Sequence, residues 1–156
     1  MLCGAHGHVL ASGQLMPAPI ARPPLHQPIR NFMTPAPHSI GRDQPLSMAH
    51  ERMRGWGVRH LPVLDGGKLV GILSQRDALL IETLRDVNPA EVPVEDAMTS
   101  DVYIVSPDAP IGEVASAMAE HKYGCAVVMN GTHLAGIFTT TDALRALITL
   151  AQSPVS

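Results

Sequence analysis

The sequence predicts an α+β fold in which two copies of one β-α-β-β-α unit pack together with pseudo-twofold symmetry. Three observations carry this expectation: a gap-free internal repeat, hairpin signals at matching places in each copy, and amphipathic stretches flanking each hairpin.

Shifting the 156-residue chain by 65 positions aligns residues 28–80 with 93–145, and 14 of the 53 pairs are identical. Unrelated stretches of average composition would share roughly three or four. The duplication is real, and a period of this size marks a repeated supersecondary unit. Among the identical pairs are Pro28/Pro93, Met33/Met98, Thr34/Thr99, Asp43/Asp108, Pro45/Pro110, Gly71/Gly136 and Asp77/Asp142.

After Pro45 and Pro110, apolar residues recur at Leu46, Ala49 and Met53, and at Ile111, Val114, Ala115 and Met118. That spacing covers one face of a helix. Asp43 and Asp108 are expected to cap these helices, with the proline setting φ near the start. Two short apolar runs follow in each copy, joined by Asp65-Gly66-Gly67 and by Asn130-Gly131-Thr132. Asp-Gly and Asn-Gly between β-prone runs signal hairpins. A second helix closes each copy, with Leu80, Leu84 and Val87 on one face in the first and Leu144, Leu147, Ile148 and Ala151 in the second.

The chain thus divides into a Pro/Gly/His-rich tail over 1–27, a first repeat over 28–85, a linker over 86–92, a second repeat over 93–150 and a short tail over 151–156. One unit of about fifty residues lies near the lower limit for an independent core, so two copies must share one. Their junction creates related clefts.

Composition narrows the function. A net charge of -3 and an aromatic content of 3% disfavour nucleic-acid binding, which needs cationic surface and stacking rings. No apolar run approaches the ~20 residues of a membrane span, and two cysteines make no disulfide framework, so a cytoplasmic protein is expected. The histidines are scattered and form no nucleophile, base and acid arrangement, so no enzymatic activity is expected. Cys3, His6, His8 and His26 match no standard metal-site spacing, and no metal is expected. Cys125 reads as a buried structural thiol.

Gly71-Ile72-Leu73-Ser74-Gln75-Arg76-Asp77 recurs as Gly136-Ile137-Phe138-Thr139-Thr140-Thr141-Asp142. With Leu61-Pro62-Val63 upstream and the Met-Thr pairs at 33–34 and 98–99, these elements resemble the cystathionine β-synthase (CBS) domain, which occurs in tandem pairs called Bateman modules. The resemblance covers about residues 28–147 and implies a regulatory module that binds AMP, ADP, ATP or S-adenosylmethionine between its repeats and signals to a partner. It implies no cofactor beyond that ligand, and a homodimer formed through exposed helices. It also implies ribose contacts for Asp77 and Asp142, with Ser74 and Thr139 near ribose and phosphate, and Thr34 and Thr99 as further contacts. Arg59 and His60 fall where basic residues meet phosphates. The same Asp, Ser and Thr residues also read as helix caps, a role compatible with ligand contact.

In the second copy Gly124 and Cys125 replace Arg59 and His60. Residues 28–80 hold seven Arg/Lys and four Asp/Glu, a balance of +3, whereas 93–145 hold two and seven, a balance of -5. The expectation is two unequal clefts: a better-equipped one around Ser74, Asp77, Arg59 and His60, and a weaker one around Thr139 and Asp142. A structural dimerisation module without ligand is the competing reading, and nucleic-acid binding a third.

Overall fold

The computed structural model describes residues 24–153; the candidate ligands Cys3, His6 and His8 lie outside them. Each repeat builds the expected β-α-β-β-α unit. The first comprises β2 (Ile40–Gly41), α1 (Leu46–Trp56), β3 (His60–Asp65), β4 (Lys68–Ser74) and α2 (Gln75–Glu82). The second comprises β5 (Ile104–Val105), α3 (Ile111–His121), β6 (Cys125–Asn130), β7 (His133–Thr139) and α4 (Thr140–Gln152). One more strand, β1 (Thr34–Pro35), precedes the first unit.

The hairpins form where Asp-Gly and Asn-Gly stand. Gly66 and Gly67 both take positive φ, 55° and 83°, which a two-residue turn matched to the strands' twist requires. Helices α1 and α3 start on Pro45 and Pro110 with no side-chain cap, which corrects the capping role expected of Asp43 and Asp108. Proline fixes φ and has no N–H to satisfy, so these starts need less help. Asp108 pairs instead with Arg30.

What holds the two units together is an exchange of their leading segments. Strand β1 does not join the first repeat's sheet of β2, β3 and β4; it pairs antiparallel with β7, Thr34 opposite Ile137, completing the sheet β1-β7-β6-β5. In return Thr99 exchanges two 2.9 Å backbone hydrogen bonds with Ile72 on β4. The prolines cross likewise, Pro28 bridging to Pro110 and Pro45 to Pro93. Ile29, Phe32 and Met33 therefore pack with Ile111, Val114, Met118 and Phe138, while Val94, Ala97 and Met98 pack with Leu46, Met53, Leu61 and Leu73. Each core is finished by the other repeat.

The duplicated Gly71 and Gly136 follow from this crossing. A Cβ on Gly71 would stand 3.0 Å from the Thr99 carbonyl oxygen and against the Met98 sulfur, and one on Gly136 would stand 3.0 Å from the Thr34 carbonyl oxygen and against the Met33 sulfur. Only a bare backbone lets the Met-Thr segments lie across the strands.

The closing helices behave differently from a core-facing pattern. Their buried residues are Ala78, Asp142 and Ala146, whereas Leu80, Leu84, Leu144, Leu147 and Ile148 are more than half exposed. Helix α2 ends at Glu82, so Leu84 and Val87, both expected on its face, lie beyond it. The apolar faces of α2 and α4 point outward, and no helix among the described residues is long and apolar enough to cross a membrane.

Candidate functional site: a cleft between the repeats

Strands β4 and β7 each deliver the chain to a helix start, and both starts open on the junction between the repeats. In the second repeat the delivery is tightly fixed. Thr139, the N-cap of α4, accepts a hydrogen bond from the Asp142 N–H at 3.2 Å, and the Asp142 carboxylate accepts one from the Thr139 N–H at 3.0 Å. This reciprocal capping box satisfies two otherwise open donors. Asp142 thus occupies the third helical position, and the cap itself is Thr139.

Across the junction, Thr34 on the exchanged strand points its hydroxyl at the same carboxylate, 3.4 Å from Oδ1. Arg145, one turn further along α4, approaches at 3.4 Å. Asp142 is 5% exposed, and its neighbours hold it in one orientation in which a sugar diol could find a rigid acceptor.

A cleft of about 830 Å³ opens above it. Repeat 2 contributes Thr139, Thr140, Thr141, Asp142 and Arg145, and repeat 1 contributes Thr34, His38, Arg59, His60, Ser74 and Arg76. Arg59 reaches across to the Thr141 hydroxyl at 3.3 Å. Such a volume lies within the range of small-molecule sites.

This grouping differs from the one the sequence suggested. Arg59 and His60 line the cleft with Thr139 and Asp142, and Asp77 and Thr99 are not among its lining residues. The exchange of leading segments is the cause: it brings Thr34 to the second repeat's helix start and Thr99 to the first's. Ser74 caps α2, accepting from the Asp77 N–H at 3.1 Å and donating to Asp77 Oδ2 at 2.8 Å, but this pair lacks the return bond of a capping box.

On the other side of the pseudo-dyad, uncharged residues stand in place of the basic ones. Tyr103 stands at the position related to His38 and stacks on Tyr123, which corresponds to Val58, at 5.1 Å between centroids. Burial, with Tyr123 and Glu113 nearby, holds the Tyr103 hydroxyl above its usual pKa. Gly124 replaces Arg59, and a Cβ there would come within 2.7 Å of His60 Nε2, so the imidazole lies against bare backbone of the opposite repeat. Burial and then the Arg59 charge push the His60 pKa down, against a smaller opposing effect of Asp77. Burial pushes the Cys125 thiol up to about 12, so it is an inert core group, as read from the sequence.

Sequence reasoning missed Arg76, Arg145 and His38 as lining residues. Arg145 carried one usable signal, its position three residues after Asp142 on a helix, which puts both on one face. His38 carried none, because its neighbour in space, the Trp56 ring 4.0 Å away, lies in a different element.

Fold and cleft together define a tandem module whose halves exchange strands and enclose a polar site. The family model for the CBS domain matches residues 29–82 and 94–149. The Vibrio cholerae protein AcuB, named for acetoin utilization, has a similar structure with a TM-score of 0.74 and 35% identity, covering 82% of this chain and 95% of that one. The chain belongs to the CBS domain family. CBSX2 in complex with AMP is similar at a TM-score of 0.71 and 24% identity, over 81% of this chain and 99% of that one. The CBS pair of MJ0100 with 5'-methylthioadenosine and S-adenosylmethionine has a TM-score of 0.72 and 22% identity, over 79% and 97%. Among curated relatives, the A-adding tRNA nucleotidyltransferase of Geobacter sulfurreducens is 28% identical over 69% of this chain, a match that spans only 12% of that enzyme.

Proposed function

We propose that this protein is a regulatory module that senses an adenosine-containing ligand, AMP, ADP, ATP or S-adenosylmethionine, and passes its occupancy to a partner without catalysing a reaction. The observation that carries the reading is the Asp142 carboxylate, buried, oriented by Thr139 and Thr34 from opposite repeats, and exposed to a nucleotide-sized cleft. Asp142 accepts the ribose hydroxyls, Thr139 and Thr34 line the ribose side, and Arg59 and His60 face the phosphates. Asp77, Ser74 and Thr99 are the corresponding set at the other helix start. AMP in CBSX2, and the adenosyl ligands in MJ0100, support this choice of ligand class.

A ligand that contacts both repeats shifts whatever equilibrium exists in their packing, which is how occupancy reaches a partner. The outward apolar faces of α2 and α4 are the proposed homodimer surface. Replacing Leu80 and Leu147, each 63% exposed, with Glu should convert a dimeric mass in light scattering to a monomeric one. The buried, free Cys125 fits a reducing cytoplasm.

Thermal denaturation with AMP, ADP, ATP and S-adenosylmethionine tests the ligand reading. A ligand at 100 times its Kd adds about 2.7 kcal/mol of stability. A shift with at least one supports the sensor, and no shift with any favours a purely structural dimerisation module, which the exposed helix faces would also serve.

A further inference from the structure

We propose that the cleft selects an adenosine ligand carrying two or more phosphates and rejects S-adenosylmethionine. The inference rests on the adenosine reading above and names the ligand class within it.

The charge lining the cleft is one-sided. Arg59, Arg76 and Arg145 face it, and Asp142 is its single lining carboxylate, a formal balance of +2 before its histidines are counted. The one negative charge is already engaged, by two donors of Thr139, the Thr34 hydroxyl and Arg145. The guanidiniums of Arg59 and Arg76 are not: among the described residues Arg59 bonds only the neutral Thr141 hydroxyl, and Arg76 forms no ion pair. The Arg145 side chain is 72% exposed and can turn from Asp142 toward a ligand.

This cationic set is particular to this cleft. Under the pseudo-dyad Arg59 maps to Gly124, Arg76 to Thr141, Arg145 to Leu80, His38 to Tyr103 and His60 to Cys125. None of these partners is a cation, so the charge is not a by-product of the repeat.

Two helix starts add to it. The first turns of both α2 and α4 line the cleft at Arg76 and Thr141, whose own N–H groups have no intrahelical acceptor. The flanking N–H groups of Gln75, Asp77, Thr140 and Asp142 already donate to the Arg59 carbonyl, the Ser74 hydroxyl, the Gly124 carbonyl and the Thr139 hydroxyl. Each start favours an anion. Three guanidiniums and two helix starts exceed what one phosphate can engage, since a guanidinium commonly pairs two donors with a phosphate. A sulfonium, a fixed cation, would meet like charge at the same place.

Titration calorimetry with ADP, ATP, AMP, adenosine and S-adenosylmethionine tests the inference, on the wild type and on Arg59→Gly and Arg145→Leu, which install the dyad-related residues. ADP or ATP should bind at least about tenfold tighter than AMP, and S-adenosylmethionine should not displace it. Each substitution should weaken ADP about tenfold while the Kd for adenosine moves far less, an internal control that the cleft still folds. AMP, adenosine or S-adenosylmethionine binding as tightly as ADP overturns the inference and leaves the sensor reading intact, as does ADP affinity unchanged in both variants. Binding of none of the five overturns both together.

Discussion

The two sides of the pseudo-dyad agree where the repeats hold each other and at the Asp-bearing helix starts, and disagree in the basic groups around the cleft. Pro28/Pro93, Pro45/Pro110, Met33/Met98 and Gly71/Gly136 are identical pairs, and all sit at the crossing of the leading segments. Arg59/Gly124, Val58/Tyr123, His60/Cys125 and Leu80/Arg145 are unlike pairs, and they sit at or beside the cleft. Contacts that cross the dyad are reciprocal, so changing one copy spoils a core that the other depends on. The basic cleft positions are under no such mutual constraint and can diverge one side at a time.

The strongest way to break this comparison is to attack the crossing. Gly136→Val and Gly71→Val each place a branched side chain against a methionine sulfur and a threonine carbonyl oxygen. Overpacking of this kind costs about 2 to 3 kcal/mol. Urea denaturation should show similar losses for the two, because the contacts are equivalent. A loss confined to one glycine would mean that the two crossings are not equivalent in strength.

An intermediate effect separates the carboxylates. Asp142→Asn keeps the shape but has one acceptor oxygen where two now serve Thr139 and Arg145, so a donor faces a donor. The expected cost is about 1 to 2 kcal/mol of stability, with at least a tenfold loss of nucleotide affinity. Asp77→Asn should cost less on both counts, since Asp77 makes no capping box and stands outside the cleft lining. Equal losses of affinity from the two variants would put ligand at both helix starts and remove the asymmetry.

The unit and its duplication were legible because they are local: proline before a helical face, Gly-rich turns between β-prone runs, a fixed offset of 65. The crossing was not. Self-similarity says that residues 28–35 and 93–100 are alike, but nothing in it says on which repeat each segment packs. Gly71 and Gly136 held the trace of it, a strand glycine that makes room for approaching backbone. The site suffered from the same gap: the residues singled out were placed at helix starts and in the cleft, but their partners were exchanged, Asp142 with Arg59 rather than Asp77. The outward helix faces were implied by the family resemblance but could not be read from the residue pattern itself. An apolar stripe at helical spacing looks the same whether it covers a core or awaits another surface.

The smallest effect falls on the residue that touches both sides. His60 lines the cleft beside Arg59, lies against Gly124 and feels Asp77, and its pKa is held below the ordinary 6.5 chiefly by burial. A neutral folded imidazole means that below pH 6.5 the unfolded chain binds more protons, so stability rises with pH up to about 6.5 and then levels off as far as His60 is concerned. His60→Gln should reduce that acid-side slope by a small amount, read as the difference in urea stability between pH 7.5 and 5.5. Phosphates placed next to the ring would reverse its bias, raising the His60 pKa and drawing in a proton on binding. Calorimetry of ADP binding near pH 6 in buffers of different ionisation enthalpy measures that proton directly. Uptake in the wild type that shrinks in His60→Gln locates the phosphates on the basic side of the dyad, and uptake unchanged by the substitution locates them away from His60.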